Sequence, residues 1–282
     1  MKKSSKIFLA ALFALSLTAC GGSSSSSKSD ADSTQTSDPF EVGVGEVGIQ
    51  INDTLQPLVF VKVEGGTFEM GDPNGTKHDD DMIETPVHKV TVGDFQICKV
   101  EVTQEIWQLV MGKNPSHEQD DPLKPVENVS WNDCQEFIKK FGALTGHQFR
   151  LPTEAEWEFA ARGGNKSKGT IYAGSENVDD VANYHLDDNP IEGRLSAVGV
   201  LQPNELGLFD MSGNAAEWVQ DFYANYTDAE QTDPKGPATG DYHIYRGGHC
   251  NNNADGCTVT VRMKFNPVGP ASYIGLRLVL VK

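Results

Sequence analysis

The chain has 282 residues, 38% of them hydrophobic, and carries 40 acidic against 23 basic side chains, a formal charge of −17 at neutral pH. That balance argues against nucleic acid as a partner, because phosphate recognition needs clustered lysine and arginine. It suits an exposed surface and the binding of cations, and the length suits one domain with a substantial core.

The first residues read as an address. Lys2, Lys3 and Lys6 precede an apolar run over 7–15, followed by Leu17-Thr18-Ala19-Cys20-Gly21. A basic start, a short apolar stretch and small residues at the cut mark a secretory signal. The run is too short for a comfortable membrane span. Its Leu-x-Ala-Cys ending resembles a bacterial lipobox, so residues 1–19 are expected to be a lipoprotein signal peptide and Cys20 the lipidated first residue. That places the protein in the cell envelope, and Gly21 after the cysteine favours the outer membrane. Residues 21–38 are almost wholly polar and cannot bury enough surface to offset their ordering entropy. Residues 20–57 are thus expected to be a flexible tether and lead-in, with 40–57 as an edge strand or an extended segment. The packed domain is expected over 58–282.

Within it, 59–63 and 67–70 alternate around Gly65-Gly66, which reads as a hairpin. His78-Asp79-Asp80-Asp81 with Glu84 reads as a solvated acidic loop rather than a metal cluster. His88, in the strand-like run PVHKVTV, reads as structural. A helix is expected from Thr103, with Ile106, Leu109 and Val110 inward and Gly112 at its end. Ser130 is placed to cap a second helix whose inner face is Cys134, Phe137, Ile138 and Phe141, ending at Gly146. Thr153 with Glu156 has capping-box spacing for a third, with Ala155, Phe159 and Ala160 inward and Gly163-Gly164 as the stop. Glu154, Glu156 and Glu158 are expected to cap and to pair with Arg150 or Arg162. From Asn165 onward the chain is loop-rich.

The segment GLFDMSGNAAEWVQD, 207–221, alternates oxygen donors with small residues. Asp210, Asn214 and Glu217 carry side-chain oxygens, while Gly213 and Ala215 offer unobstructed carbonyls. A hard cation such as Ca²⁺ takes several oxygens from a curved backbone of this kind, but the same pattern equally describes a polar turn before a short strand with Trp218 entering the core.

This segment resembles the GLYDMxGNVWEW motif of the formylglycine-generating-enzyme-like, or sulfatase-modifying-factor, family. VEGGTFEMG (63–71), VSWNDCQEFIKKFGALTG (129–146) with FRLPTEAEWEFAARGG (149–164), and RGGHCNNN (246–253) with IGLRLVLV (274–281) fit the same family in order. The resemblance implies an α+β, C-type-lectin-like single domain. It also implies two structural Ca²⁺ sites. One would use Asn183 and the carbonyl of Tyr184, with Asp187 or Asp188 as further acid. The other would use Asp210, Gly213, Ala215 and Glu217. Ala216 stands where the family has tryptophan, which removes an aromatic wall.

The family's enzymes oxidise a protein cysteine with two active-site cysteines spaced C-x₄-C, Cu(I) and O₂; soft thiolates explain the choice of Cu(I). Here six residues separate Cys250 from Cys257. Aligned from Arg262, neither falls on an enzyme cysteine. Cys257 resembles instead a cysteine of non-enzymatic members, in the pattern NNNAxxC. The seven histidines lack the spacing of the iron-dependent sulfoxide synthases that share this fold. Export suits disulfides, and Cys98, Cys134, Cys250 and Cys257 allow three pairings; Cys98 and Cys134 sit in apolar patterns that suit buried thiols.

Residues 246–282 also resemble the variable regions of proteins diversified by retroelements. A frame of Gly247, Gly248, Asn251, Asn252, Asn253, Cys257, Arg262, Pro267, Gly275 and Arg277 encloses assorted residues. Of these, His249, Val261, Met263, Phe265, Ala271, Ser272 and Tyr273 are expected to contact a ligand, a protein or a glycan. The combined expectation is a surface lipoprotein with a non-catalytic binding domain that contains structural Ca²⁺. The alternative is a copper-dependent oxidoreductase acting on protein cysteines.

Overall fold

The computed structural model describes residues 38–73, 77–79, 82–185 and 193–281. The signal peptide, Cys20, Asp80, Asp81, Asp187 and Asp188 lie outside the described residues. The described residues form one compact unit, an α+β domain with five sheets and four α-helices among those residues.

The largest sheet has the order β1-β2-β7-β16-β8. It comprises β1 (Val47–Ile49), β2 (Leu58–Val63), β7 (Phe95–Cys98), β8 (Gln148–Arg150) and β16 (Val279–Val281). All its pairs are antiparallel. The C-terminal strand therefore lies between β7 and β8, and IGLRLVLV closes the sheet. β1 is its edge strand, and Phe40, Val47, Ile51 and Leu55 pack on the core. The packed body thus extends N-terminal of residue 58.

β3 (Gly66–Met70) does not pair with β2, contrary to the expected hairpin. It joins β6 (His88–Val92) and β12 (Gln231–Thr232) in a separate sheet of order β12-β6-β3. Gly65 explains the crossing: a Cβ there would sit 2.4 Å from the Val92 carbonyl oxygen. The glycines let the chain step between sheets rather than turn back. A two-stranded ribbon, β4 (Lys77–Asp79) with β5 (Met82–Ile83), follows. Glu84, expected in a solvated loop, is buried. His88 is buried too, its ring edge-on to Tyr226, as a structural residue would be.

The helices form where local signals place them. In α1 (Gln104–Met111) Gly112 ends the helix in the left-handed conformation. Its buried face uses Ile106 and Trp107; Leu109, expected inward, is 45% exposed. Trp107 stacks on Phe137 with ring centres 4.9 Å apart, which sets the rotation of α1 against its neighbour. α2 (Trp131–Thr145) opens with a capping box of Ser130 and Asp133 and buries Cys134, Phe137, Ile138 and Phe141. α3 (Glu154–Ala161) has the Thr153–Glu156 capping box.

Arg150 pairs with Glu156 and Arg162 with Glu158, as expected. Glu154 and Glu158, however, are buried and hold arginines from the far end of the chain. Arg262 grips Glu154 at 2.7 and 2.8 Å, and Arg246 pairs with Glu158. A buried pair of this kind is costly to break once formed. The remaining elements are α4 (Val178–Val181), β9 (Ala182–Asn183) parallel to β10 (Ser212–Gly213), and the sheet β14-β13-β11-β15. That sheet comprises β11 (Ala216–Phe222), β13 (His243–Arg246), β14 (Arg262–Phe265) and β15 (Ile274–Leu276). No described helix is long and apolar enough to cross a membrane.

Candidate functional site

Segment 207–217 is coiled by left-handed backbone at Gly207, Asp210, Gly213 and Asn214. Gly213 is required by contact as well, because a Cβ would meet the Asn183 carbonyl oxygen at 2.4 Å. Asn214 ties the coil to the neighbouring loops. Its N–H donates to the Asn183 carbonyl, and its Oδ1 accepts from Asn183 Nδ2 and the Ser196 N–H.

Three carboxylates converge beneath this coil. Asp210 Oδ2 accepts from the Gly199 N–H at 2.7 Å. Glu101 accepts from Asn214 Nδ2 and the Ala215 N–H, each at 2.9 Å. Glu217 accepts from Trp157 Nε1 at 2.7 Å and from Arg277 Nε and Nη2 at 2.7–3.0 Å. Arg277 also donates to the carbonyls of Cys98 and Phe209. All four charged groups are buried. Burial, with the charges of Asp210 and Glu217, pushes the Glu101 carboxyl well above the usual range. Burial pushes Asp210 up to about 6.

With the Glu101 carboxyl raised well above its usual range and Glu217 matched by Arg277, Asp210 is the acid of the three that could offer further negative charge to a cation. Both Glu217 oxygens already face protein donors, and among the described residues no three His, Cys, Asp or Glu side chains converge as metal ligands. A cation here would rest mainly on Asp210 and backbone carbonyls. Glu101 carries no motif that marks it. The one hint is an acid flanked by Val100 and Val102 in a run that proves buried.

At the other expected calcium position, Asn183 Nδ2 donates to the Arg194 carbonyl and Ser196 Oγ. The Tyr184 hydroxyl donates to Asp179 at 2.7 Å.

Among the described residues all four cysteines are free, buried thiols: Cys98 and Cys134 are so as their apolar patterns suggested, and none of the three possible pairings forms. Cys250 donates to the Gly193 carbonyl at 3.4 Å, and Cys257 packs with Tyr172, Val181 and Ala182. Burial pushes each of these two thiols up to about 12. Both are protonated at neutral pH, whereas the thiolate is the metal ligand and the nucleophile.

The expected C-terminal contact residues divide. Phe265 is 41% exposed, Ser272 is exposed, and His249, Met263 and Tyr273 are half-buried. The His249 and Tyr273 rings stack with centres 5.2 Å apart. The Tyr273 N–H, at a left-handed residue, donates to buried Glu127, which also accepts from the His117 backbone N–H. Burial lowers His249 to about 4, so this surface carries a neutral imidazole. Met263 and Phe265 lie opposite Tyr245 and His243 in the β13–β14 register and so share one sheet face with them. Val261 and Ala271 correct the expectation: at 2% and 3% exposure they belong to the interior and cannot touch a ligand.

The sulfatase-modifying factor enzyme 1-like domain matches residues 51–282. A chaperone protein LppX of Paenibacillus barcinonensis is 30% identical over 79% of this chain and 89% of its own length. A formylglycine-generating enzyme of Streptomyces coelicolor is 28% identical over 77% of this chain and 87% of its own. Among solved structures, Treponema denticola variable protein 1 superposes with a TM-score of 0.73 at 26% identity. It covers 84% of this chain and 99% of that protein. Its name agrees with the resemblance of segment 246–282 to a variable region.

Proposed function

Because this chain belongs to the sulfatase-modifying-factor family and has the family's lectin-like fold, we propose that it is a non-catalytic member. It presents a ligand-binding surface from its C-terminal segment. The observation that carries this reading is the state of Cys250 and Cys257. Both are buried, both thiols are pushed up to about 12, and six residues separate them where the family's enzymes have four. Copper(I) ligation needs accessible thiolates. The family's tryptophan before the glutamate is absent as well, with buried Ala216 in its place.

The ligand, a protein or a glycan, would meet Phe265, Met263, Ser272, Tyr273 and His249. Met263 and Phe265 are held on β14, and Tyr273 on a backbone fixed by Glu127. Rigid aromatic side chains on a firm scaffold suit recognition. The domain would be held to the cell envelope, at the outer membrane, by a lipid on Cys20. Ca²⁺ would be structural, at Asp210 with the carbonyls of Gly213 and Ala215 and the charge of Glu217, and in a second position at Asn183 and Tyr184.

The test is Cu(I) titration with an oxygen-dependent assay of cysteine oxidation on a peptide substrate. No stoichiometric Cu(I) binding and no turnover are expected. Tight binding lost in Cys250→Ser and Cys257→Ser, with oxidation of the peptide, would establish the copper-dependent enzyme instead.

A further inference from the structure

A cavity of about 350 Å³ lies where the first turn of α3, the end of β11 and the loop over 224–237 meet. This is within the usual size of small-molecule sites. Its wall combines apolar surface from Met70, Ala155 and Phe222 with four buried polar side chains, Asp221, His88, Glu154 and Arg262. Asp221 is 4% exposed. Its Oδ2 accepts from the Glu154 N–H at 3.0 Å, and its Oδ1 has no hydrogen bond among the described residues. The loop closes tightly over that oxygen: a Cβ on Gly236 would come within 3.3 Å of it. His88 Nδ1 lies 3.1 Å from the Pro86 carbonyl and donates to it, which leaves the Nε2 lone pair unused.

The buried cation of this wall does not satisfy Asp221. Arg262 has Nε and Nη2 on Glu154 and Nη1 on the Ala224 carbonyl, and its guanidinium stacks 3.9 Å from the centre of the Tyr226 ring. Glu154 in turn accepts from the Tyr226 hydroxyl. The cavity therefore presents two side chains with an acceptor unused among the described residues, Asp221 at Oδ1 and His88 at Nε2, beside apolar surface. A ligand that matches it brings hydrogen-bond donors at one end and an apolar body at the other.

We propose that this cavity binds a small organic amine in its cationic form, with Asp221 Oδ1 as the anionic partner and the apolar wall around its body. A charged donor is favoured over a neutral one because a carboxylate held out of water gains most from a cation. The electrostatics agree. Burial, and then the charge of Glu154, push Asp221 up to about 7, and a bound ammonium would relieve both. Among the described residues the other charged or titratable groups around Asp221 are Glu156 on α3, Arg262 on β14, Tyr226 and Lys235 in the loop, His88 on β6 and His243 on β13.

Benzylamine titrated into the purified protein by calorimetry tests this, with benzyl alcohol as the neutral isostere. Saturable binding of benzylamine is expected, roughly tenfold tighter at pH 8 than at pH 6, because Asp221 must ionise to pair. Benzyl alcohol should bind at least about tenfold more weakly. Asp221→Asn should reduce benzylamine binding to the level of the alcohol. Ala229→Trp, at an exposed position on the rim, should block both ligands without disturbing the core; it keeps the test valid should Asp221→Asn fail to fold. Absence of saturable benzylamine binding up to about 10 mM, equal affinity for the alcohol, or unchanged binding in either variant would overturn the proposal. Neither outcome bears on the C-terminal surface.

Discussion

Arg277→Met perturbs the centre of the acid cluster while keeping the volume of the side-chain stem. The arginine is fully buried and is, among the described residues, the cation facing Glu101, Asp210 and Glu217. Its loss leaves Glu217 with Trp157 as donor, and leaves the Cys98 and Phe209 carbonyls without the guanidinium. Removing one partner of a buried pair costs about 3–5 kcal/mol. Each carbonyl left unsatisfied adds about 1–3 kcal/mol, reduced where the chain relaxes. A deficit near 5 kcal/mol is a large share of a domain's stability. The sign of the pH dependence follows from the acids. A buried carboxylate without its cation is held protonated more readily in the folded than in the unfolded chain, so folding gains stability as pH falls. The deficit should therefore be larger at pH 8 than at pH 5. Urea unfolding followed by tryptophan fluorescence, with chelator present, measures both values. The exposed pair Lys62–Asp94, 3.4 Å apart, serves as control: Lys62→Met should cost less than about 1 kcal/mol. A deficit for Arg277→Met below about 1 kcal/mol at pH 8, or one larger at pH 5, would refute the account.

Chelation of calcium should lower the melting temperature at pH 8, by mass action on the folded state, and Asp210→Ala should remove that sensitivity. The effect should fade below pH 6, because Asp210, raised to about 6, then binds a proton in place of the ion; undiminished sensitivity at pH 5 would exclude Asp210 as a ligand. Mass spectrometry of the mature N-terminus should find a lipid on Cys20, and cleavage elsewhere would count against the envelope anchor. Gly248→Val should cost more than about 3 kcal/mol, since the residue has φ +70° and its Cβ would sit 2.2 Å from the Gly256 carbonyl oxygen. Phe265→Ala, at an exposed edge, should cost less than about 1 kcal/mol, so equal losses in the two variants would mean that Phe265 is part of the core.

What the sequence makes legible and what it hides divide along the range of the interaction. The caps at Ser130–Asp133 and Thr153–Glu156 form between residues three apart, and both are present. The inner face of α2 is a matter of helical period, and its four expected residues are buried. β2 and β3 fail as a hairpin because each takes a partner further along the chain: β7 for one, β6 for the other. Alternation announces a strand but says nothing of its neighbour. The same limit hides the acid cluster. Glu101 and Asp210 are over a hundred positions apart, and only the fold makes one charge raise the other's pKa. In the C-terminal segment, the resemblance to variable regions marks a frame of glycines and arginines, and Arg262 and Arg277 are indeed buried on acids. Side-chain type cannot say which residues between them face outward. Val261 comes just before the buried arginine at the start of β14 and goes inward with it; Met263 and Phe265 alternate along the strand toward the exposed side. Any diversity tolerated in this segment should therefore fall on 263, 265, 272 and 273, and not on 261 or 271. At 261 and 271 a larger or polar side chain would have to displace the packed core, which costs stability before it can change a binding surface.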